Sequence, residues 1–354
     1  MKKAIVWLLV AALALPLLVS ATVLDGSVQT AVPVKASYPD NPVIAGESPT
    51  TGLPFSGPYT PILMVVDNAP AAYPHWGVSQ ADIMFQVPNM GGGATKLLAL
   101  FSDHMPTRAG GIRSARMPFV DVAFAFGAAF MFAGTPPETM TDATPEIDVY
   151  KRIRDNGYRR DTLYFDVLGN GAYHHREAGR TAPHNLVADV QQVQQLALQN
   201  GATFSPRPFK FTDAAPASDV SATQVNLTVY NGQAVNTASA ATYDYLADKN
   251  AYTRTSQSGL NVDAETPDQP LLFNNLVFLR MDYRFHGNYV NLANPVGSGR
   301  ADFFMGGKYI PGAWVRQDSN SRFVFTDANG EELALQRGTT FITITNDGST
   351  LEYR

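Results

Sequence analysis

No cysteine occurs anywhere in the 354 residues of the sequence. This absence excludes disulfide bonds, thiolate metal sites, a cysteine nucleophile and a lipid carried on cysteine. A fold without disulfides must rest on its hydrophobic core. The chain is long enough for this, because domains of about 100–200 residues bury a sufficient core. The length favours two domains.

Charged residues are also scarce, at 16% of the chain, and the formal net charge is −5. There is no extended basic run, which argues against nucleic acid as a partner because a phosphate backbone requires clustered lysine and arginine. Glycine and proline are plentiful, with 28 and 24 residues. This composition is typical of a loop-rich α/β or α+β protein rather than a helical bundle or a disordered chain.

The N-terminus has the three parts of a secretory signal. Lys2 and Lys3 give a positive start, residues 4–19 contain no charge, and residues 19–21 are small enough for a signal peptidase to cut after them. The apolar run is slightly shorter than the ~20 residues of an ideal membrane span. Residues 1–21 are therefore predicted to be a signal peptide or a membrane anchor. The protein is expected outside the cytoplasm, either secreted or anchored to the outer face of the cytoplasmic membrane.

Composition divides the rest of the chain. Residues 22–59 are rich in Pro, Ser and Thr and are predicted to be a flexible tether. Residues 60–205 are predicted to form an N-terminal α/β domain. A Pro-, Ala- and Ser-rich stretch over 201–222 marks the boundary. Residues 223–354 are predicted to form a mainly β C-terminal domain, because short apolar strands alternate there with polar turns.

Short apolar runs that end at proline or at polar residues predict the buried strands. In the first half these runs are 61–67, 81–87, 95–101 and 128–133. Helices are predicted at 117–126 and 187–199. In the second half, strands are predicted at 224–230, 241–246, 252–255, 276–283, 300–305, 322–326 and 340–346.

A glycine pair precedes two arginines in the segment 110–116, Gly-Gly-Ile-Arg-Ser-Ala-Arg. Arg113 and Arg116 are three residues apart, so they would share one face of a helical turn that Ser114 could cap. Glycine lets the backbone approach a ligand, and arginine binds phosphate, pyrophosphate or carboxylate through paired N–H groups. The segment is a candidate anion site, and two surface arginines at a helix start are the alternative.

Lys96 ends a second glycine-rich stretch, Gly-Gly-Gly-Ala-Thr-Lys over 91–96. Its spacing does not match the P-loop, which needs Gly-Lys-Ser/Thr after a spaced glycine. Lys96 is therefore a candidate ligand-binding cation in a flexible loop, and a plain glycine-rich hairpin between two strands is the alternative.

The densest polar run lies at 173–185 and includes three histidines, two arginines and a glutamate. Their spacing matches no zinc motif, so neither a metal nor a cofactor is expected. His184 with Arg180, followed by Asn185, is predicted to bind an anion or to take part in acid–base chemistry. A structural turn is the alternative.

Asp67 and Asn68 follow the first predicted strand directly. Polar residues at strand ends often lie in the ligand crevice of α/β sheets, so both are candidate site residues and Asp67 is a candidate general base. Asp82 and Glu138 are further acids that could face the same crevice. The alternative role of Asp67 is a turn cap.

Several of these motifs in series resemble the DUF3048 family, bacterial proteins of unknown function that include lipoproteins. The matching stretches are 41–54, 66–68, 77–83, 92–96, 111–116, 182–185, 303–308, 312–314 and 337–340. The resemblance implies a two-domain, extracytoplasmic, membrane-associated protein. It implies no particular reaction.

The sequence departs from the family pattern at three points. Gln86 stands where the family commonly has glutamate, and Gly91 stands where the family often has a second glutamate. The cysteine that carries the lipid is missing. Loss of two acids weakens any mechanism that needs carboxylates there. The cations Lys96, Arg113 and Arg116 remain, which favours anion binding over carboxylate catalysis.

Three functions stay open on these grounds. In the first, one crevice formed by Lys96, Arg113, Arg116, Arg180 and His184 binds an anionic cell-envelope component, such as a lipid-linked phosphate, a wall polymer or a peptidoglycan carboxylate. In the second, a hydrolase or transferase of envelope phosphodiesters or glycans uses His184 or Asp67 as general base. In the third, residues 223–354 recruit cell-wall synthesis proteins. An uncleaved N-terminus would add contact with the membrane.

Overall fold

The computed structural model describes residues 21–25, 32–168 and 171–354. The predicted signal peptide or anchor therefore lies outside the described residues, apart from Ala21. Within the described ranges, no helix is both long enough and apolar enough to cross a membrane.

The first half of the chain mixes strands with helices. Its described strands are β1 (Thr22–Asp25), β2 (Ile62–Val66), β3 (Ile83–Val87), β4 (Lys96–Phe101), β5 (Ala109–Gly110), β6 (Ala129–Phe132), β7 (Tyr164–Asp166), β8 (His174–Arg176), β9 (Leu186–Ala188) and β10 (Phe211–Thr212). Its helices are α1 (Met117–Phe126), α2 (Glu138–Thr141), α3 (Val149–Asp155) and α4 (Val190–Gln199). Single 3-10 turns occur at Pro70–Ala72, Val78–Gln80 and Pro145–Ile147.

Residues 213–354 are all described, and they form strands without any helix. The strands are β11 (Gln224–Tyr230), β12 (Val235–Leu246), β13 (Ala251–Ser256), β14 (Gly259–Leu260), β15 (Val262–Asp263), β16 (Thr266–Pro270), β17 (Asn275–Arg280), β18 (Tyr283–His286), β19 (Tyr289–Leu292), β20 (Gly297–Met305), β21 (Lys308–Arg316), β22 (Val324–Asp327), β23 (Leu335–Gln336), β24 (Thr340–Thr345) and β25 (Thr350–Tyr353). A mixed α and β first half with a mainly β second half confirms the predicted fold class.

Ten strands from both halves form one central sheet. Its order is β22-β21-β20-β17-β24-β3-β4-β2-β6-β7. The two halves meet where β24 pairs with β3 in parallel, from Thr340 opposite Ile83 to Thr343 opposite Gln86. Strands β17, β24, β3, β2, β6 and β7 run in one direction, so their carboxyl ends lie along the same edge of the sheet.

The central strands are apolar throughout because both faces of the sheet are covered. In β2, Ile62, Met64 and Val66 belong to the core layer that includes α4 and the second sheet, whereas Leu63 and Val65 belong to the layer that includes α1 and α3. All five residues are fully buried. Burial on both faces produces the continuous apolar runs that predict strands in the sequence.

A second sheet, with the order β1-β25-β11-β12-β13-β14, packs against the central sheet. In β11 the residues Val225, Leu227 and Val229 are buried and alternate with half-buried neighbours, as expected for a strand with one face on a core. Tyr243 links the layers, because its ring centroid lies 5.9 Å from that of Phe278 in the central sheet.

Residues 32–59, predicted to be flexible, lie against the folded body. Tyr38 is buried, and its hydroxyl donates to the carbonyl of Gly330 at 3.0 Å. The hydroxyl of Thr50 donates to Asp82 Oδ2 at 2.7 Å. The polar side chains of this segment are used in hydrogen bonds to both halves, and composition cannot distinguish that role from solvation in a tether.

The predicted helix over 187–199 begins three residues later than expected. Asp189 is the N-cap of α4, because its carboxylate accepts from the backbone N–H of Gln192 at 2.9 Å. The residues before it, Leu186–Ala188, form the middle strand of a small three-stranded sheet with the order β5-β9-β8. Capping therefore decides the boundary, since apolar periodicity alone continues across it.

Candidate functional site

The candidate site lies at the edge of the central sheet where β2 and β6 end and β4 begins. Asp67 follows β2 directly, and Lys96 is the first residue of β4, which is antiparallel to β2. The end of one strand and the start of its antiparallel neighbour are adjacent, so these two side chains meet although they are 29 residues apart in the chain.

The segment that carries the two arginines is extended, so the predicted helical turn is wrong. The backbone N–H of Arg113 donates to Val65 O at 3.0 Å, and its carbonyl accepts from Ala133 N at 2.8 Å. Helix α1 begins after Arg116, whose φ and ψ of −140° and 161° are extended and whose side chain makes no capping bond. Ser114 does not cap the helix because this backbone bridges the ends of β2 and β6 instead.

Two glycines let this segment lie directly against β9 and the residues before it. A Cβ on Gly111 would lie 2.6 Å from the carbonyl oxygen of His184, and one on Gly110 would lie 2.4 Å from that of Leu186. Both distances are shorter than a van der Waals contact, so any side chain would push the two backbones apart. The close approach places Arg113 beside His184.

Asp67 is the centre of the site. Its side chain is fully buried, and its Oδ1 accepts from Lys96 Nζ at 2.6 Å. Its Oδ2 accepts from Arg113 Nε at 2.6 Å and from His184 Nδ1 at 2.7 Å. Arg113 and His184 contact the same oxygen atom, so one small ligand can reach both. The structure thus brings together four of the residues that the sequence identifies.

The charges of the cluster influence one another. Burial alone would raise the pKa of the Asp67 carboxyl, but Lys96, Arg113 and His184 hold it well below its usual range. Burial lowers the pKa of the Lys96 ammonium despite the attraction of Asp67, and the charges of Arg113 and Arg116 lower it further. One carboxylate therefore does not balance the positive charge gathered around it.

Several hydrogen-bond donors of the cluster are not used within the protein. Among the described residues, Arg113 donates only Nε to Asp67, and no partner contacts its two terminal nitrogens. His184 Nε2 likewise has no hydrogen bond to any described residue. The side chains of Lys96, Arg113 and His184 are 16%, 23% and 20% exposed, so solvent or a ligand reaches all three.

Arg116 extends the cationic cluster toward the second half of the chain. Its guanidinium carbon lies 5.3 Å from the ring centroid of Tyr289, and its Nη1 donates to Ala115 O at 2.7 Å. Its Nε is buried without a hydrogen-bond partner in the described residues. Burial, and then the charge of Arg113, lower the pKa of Arg116, so these two guanidinium groups lie within each other's electrostatic field.

Asn68 supports the site from behind. Its Nδ2 donates to Thr95 Oγ1 at 2.9 Å, and its Oδ1 accepts from the hydroxyl of Tyr73 at 2.6 Å. The backbone N–H of Thr95 donates to Ser239 Oγ at 2.8 Å, and its hydroxyl lies 3.1 Å from the same atom. This buried chain of hydrogen bonds joins the site to β12 of the second sheet.

Arg254 is a buried cation that the sequence did not single out. It is 1% exposed, and its Nη2 donates to Gln86 Oε1 at 2.8 Å, while its Nη1 lies 3.4 Å from the hydroxyl of Tyr73. No carboxylate forms an ion pair with it in the described part of the chain. Gln86 therefore gives Arg254 a neutral acceptor. No local motif indicates this contact, since 168 residues separate the two side chains.

His75 is a further residue that the sequence analysis missed. It is buried, and its Nε2 donates to the backbone carbonyl of Asp67 at 2.6 Å. Burial lowers the pKa of His75 to about 4, so its ring is neutral at physiological pH. It fixes the backbone at the centre of the site without adding charge.

Arg180 and Asn185 lie at the border of the site and hold neighbouring backbone. Arg180 stacks on Trp76, with 3.9 Å from its guanidinium carbon to the ring centroid, and it donates to the carbonyls of Ala72 and Pro74, both at 2.7 Å. Asn185 is buried, and its Nδ2 donates to the carbonyl of Glu177 at 2.8 Å. Neither residue contacts Asp67 in the described structure.

The other predicted acids do not join the cluster. Asp82 precedes β3 and therefore lies at the opposite edge of the central sheet from Asp67, where burial and the charge of Asp103 raise its pKa well above the ordinary value. Glu138 is exposed at the start of α2. Within the described residues, no group of three or more His, Asp or Glu side chains is placed to hold a metal ion.

The chain consists of two parts that match two family models. Residues 50–203 match the N-terminal domain of DUF3048, a protein family of unknown function, and residues 231–342 match its C-terminal domain. The chain belongs to the DUF3048 family. The first match contains Asp67, Lys96, Arg113 and His184, so the cluster lies wholly within the N-terminal family domain.

A curated relative and a solved structure agree with this assignment. The chain is 29% identical over 244 residues to the protein named putative lipoprotein YerB of Bacillus subtilis (strain 168), covering 67% of this chain and 68% of the relative. It is also similar to the crystal structure of YerB from Bacillus subtilis, with a TM-score of 0.70 and 24% identity over 86% of this chain and 99% of that chain. The structural likeness supports the fold.

Proposed function

We propose that this protein binds an anionic component of the bacterial cell envelope at the cluster of Lys96, Arg113, Arg116 and His184. The observation that carries the proposal is the excess of positive charge around one carboxylate. Asp67 is fully buried and already accepts from Lys96, Arg113 and His184. The guanidinium groups of Arg113 and Arg116 alone outnumber the one carboxylate of Asp67, so the cluster keeps a positive surplus that an anionic ligand would balance.

The free donors favour a phosphate, pyrophosphate or carboxylate group. Arg113 retains two terminal nitrogens without a partner in the described residues, and a guanidinium binds such groups through paired N–H donors. Lys96 uses one of its three N–H groups on Asp67. Partial burial strengthens these interactions, because solvent screens charges less at a half-buried site.

An extracytoplasmic position fits this ligand class. The charge-free run over 4–19 and the small residues at 19–21 have the pattern of an export signal, and a relative carries the name putative lipoprotein YerB. Lipid-linked phosphates and wall polymers are the anions that such a location offers. We therefore infer a protein of the envelope, either secreted or held at the outer face of the cytoplasmic membrane.

Binding of inorganic pyrophosphate, measured by isothermal titration calorimetry on the full chain, tests the proposal. Loss of a charged hydrogen bond costs about 1.5–3 kcal/mol, so Arg113→Gln is expected to raise the dissociation constant by about tenfold to a hundredfold. Lys249→Gln makes the same charge change at a position that is 58% exposed, and it is expected to leave the affinity unchanged. Equal weakening by both variants would mean nonspecific attraction and would refute the site.

A second candidate function is hydrolysis or group transfer with His184 as general base. Its support is the hydrogen bond from His184 Nδ1 to Asp67, with Nε2 left free in the described residues. A carboxylate on Nδ1 fixes the tautomer in which Nε2 accepts a proton. Asp67 itself is a poor base, because it is buried and its pKa is held low; in this function it is a positioning residue.

Turnover of lipid-linked and polymeric wall substrates by the parent and by His184→Gln tests this candidate. General base catalysis contributes about 10²–10⁴-fold to a rate, so the variant is expected to lose that much turnover, while pyrophosphate binding is weakened only in part because Lys96, Arg113 and Arg116 remain. Equal turnover in both proteins would exclude His184 as the base. Absence of turnover in the parent would leave binding as the function.

A further inference from the structure

A cavity of about 260 Å³ lies at the same edge of the central sheet as Asp67, beyond the carboxyl end of β17. In the sheet order, β17 is four positions from β2, which is roughly 19 Å at about 4.8 Å per strand. The residues lining it include Arg280, Asp282, Arg300, Trp314 and Asp347. The cavity is therefore separate from the cation cluster of the first half.

Arg280 is buried in the wall of this cavity with unused donors. It is 4% exposed, and its Nη1 donates to the carbonyl of Asn346 at 2.8 Å and to that of Ser349. Its Nε lies 3.7 Å from Asp302 Oδ2, beyond hydrogen-bond distance, and its Nη2 has no partner in the described residues. A buried guanidinium nitrogen without an acceptor is unfavourable, so this position favours an acceptor supplied by a ligand.

Two guanidinium groups share one carboxylate behind the cavity. Asp302 is fully buried, and its Oδ1 accepts from Arg300 Nη2 at 3.0 Å and from the hydroxyl of Tyr309 at 3.0 Å. Arg280 is the second guanidinium beside this carboxylate. Asp302 is therefore shared between the two groups, and Arg280 keeps Nη2 without an acceptor in the described residues.

The opposite charge occurs on the same cavity. Asp282 is exposed and Asp347 is half-buried, and neither forms an ion pair with a described residue. Asp347 follows Asn346, whose carbonyl accepts from Arg280 Nη1, and Arg280 and Asp347 both line the cavity. The cavity therefore presents the Arg280 guanidinium and two carboxylates that have no ion pair among the described residues, within a space large enough for only a small molecule.

The shape of the cavity is fixed by a buried tryptophan. Trp314 is 1% exposed, and its Nε1 donates to the backbone carbonyl of Arg280 at 2.8 Å. A Cβ on Gly299 would lie 2.5 Å from this nitrogen, so the glycine keeps the indole in place. Val32 and Val34 from the N-terminal segment complete the apolar part of the lining.

We propose that this cavity binds a small zwitterion, a free amino acid or a dipeptide. The carboxylate of the ligand would accept from Arg280, and its ammonium would donate to Asp282 and Asp347. A simple anion would be repelled by the two carboxylates, and a simple cation by the guanidinium groups. A ligand with both charges can pair with the Arg280 guanidinium and with the two carboxylates at once.

Calorimetric titration of the full chain with the free amino acids and with alanyl-alanine tests the proposal. At least one of these zwitterions is expected to bind. Its N-acetyl and C-amide derivatives each lack one charge. Each derivative is expected to bind at least about tenfold more weakly, because it loses one charged hydrogen bond to the cavity. Failure of every zwitterion to bind, or equal binding of the derivatives, would overturn the proposal.

Variants of the rim acids locate the binding. Asp282→Asn and Asp347→Asn change half-buried or exposed positions, so the fold is expected to remain, and each should weaken the zwitterion about tenfold but leave its N-acetyl derivative unaffected. Asp268→Asn, at an exposed position of β16, is the matched control and should leave the affinity unchanged. Weakening by the control alone, or by none of the three, would place the ligand elsewhere.

The pyrophosphate site provides an independent check. Arg113→Gln is expected to retain full affinity for the zwitterion, because the cation cluster is four strands away. Arg280→Lys keeps the charge but removes the free Nη2 donor, and it should weaken the zwitterion without changing pyrophosphate binding. If each of these variants lost affinity for the zwitterion and for pyrophosphate alike, the two ligands would not bind at separate sites.

Discussion

Both oxygens of the Asp67 carboxylate are occupied, and this occupancy sets the geometry of the cation cluster. Oδ1 holds Lys96, and Oδ2 holds Arg113 and His184. Because the carboxylate is ionised over the whole physiological range, it orients its neighbours rather than exchanging protons. The groups left for a ligand are the outward donors of Arg113 and Lys96 and the free nitrogen of His184.

His75 is expected to make the stability of the protein depend on pH between its ordinary pKa of 6.5 and its folded value of about 4. In this interval the unfolded chain binds a proton on the imidazole and the folded chain does not. The free energy of unfolding therefore falls as the pH falls, by up to about 3 kcal/mol from this residue. Well above pH 6.5 the imidazole is neutral in both the folded and the unfolded chain, so His75 no longer makes the free energy of unfolding depend on pH.

Urea unfolding of the parent and of His75→Gln at several pH values between 4 and 7 measures this effect. Glutamine can still donate to the carbonyl of Asp67 but does not titrate, so the stability difference between the two proteins should shrink or reverse as the pH falls. His104→Gln, at an exposed position, controls for the substitution itself. A difference that is constant across the interval would show that His75 is not buried as a neutral ring.

The sequence identifies the charged residues of the cluster better than their supports. Asp67 could be predicted because it follows an apolar strand, and Arg113 because glycines precede it. His75 and Arg254 could not, since their roles depend on burial by segments far away in the chain. Arg254, for example, meets Gln86 across 168 residues. Such contacts leave no periodic or local pattern.

Among the elements of the fold, the extended segment over 110–116 packs closely against β9 and the residues before it. Gly111→Ala would place a methyl group 2.6 Å from the carbonyl oxygen of His184. We expect about 2 kcal/mol of destabilisation from this overpacking. We also expect weaker pyrophosphate binding, because Arg113 and His184 would be pushed apart.

Gly93→Ala is the matched control for this substitution. It lies in the glycine-rich loop of the same site, but its Cβ would come no closer than 3.4 Å to Met90 Cβ, an ordinary contact. Thermal unfolding and calorimetric titration of both variants measure the contrast. If Gly93→Ala lost as much stability and affinity as Gly111→Ala, the close approach to His184 would not be the cause.

The elements that the sequence misassigned were misassigned for identifiable reasons. The arginine spacing over 113–116 is compatible with a helical turn, yet the backbone there satisfies the ends of β2 and β6. The composition of 32–59 is typical of a tether, yet its hydroxyls and aromatic rings are bound to the body. In both cases distant partners decide the local structure.

At the scale of the whole molecule, the central sheet does not stop at the boundary between the halves. β24 from the second half lies between β17 and β3, and β3 is paired on its other side with β4. Each half contributes five of the ten strands, so neither half alone forms the complete sheet. An isolated second half would expose the edge of β24 that pairs with β3, and all six residues of β24 are buried in the whole chain.

The two halves are therefore expected to unfold in one cooperative transition. Trp76 reports on the first half and Trp314 on the second. The double variant Trp7→Phe/Trp314→Phe keeps only Trp76, and the double variant Trp7→Phe/Trp76→Phe keeps only Trp314. Guanidinium unfolding followed by each tryptophan and by circular dichroism is expected to give coincident midpoints within each variant. Separate transitions for tryptophan fluorescence and circular dichroism would indicate independently stable halves.

The fold class follows from the sequence, but the arrangement of the strands does not. Apolar runs with β-branched residues indicate where strands lie, and β2, β3, β4 and β11 are all found where such runs occur. Their order in the sheet depends on pairings such as β24 with β3, which join residues more than 250 positions apart. A single sequence contains no signal for such a pairing.

The pairing of β1 with β25 brings the two ends of the folded body together. Thr22 lies opposite Tyr353, and Leu24 lies opposite Leu351. A force applied through the residues that precede β1 is therefore resisted first by four residue pairs of one antiparallel ladder. Strand β1 would peel from β25 before the central sheet is strained, which gives the molecule a point of mechanical release. A reporter fused after Arg354 would lie next to the pair of β1 and β25, so its signal would change when β1 separates from β25.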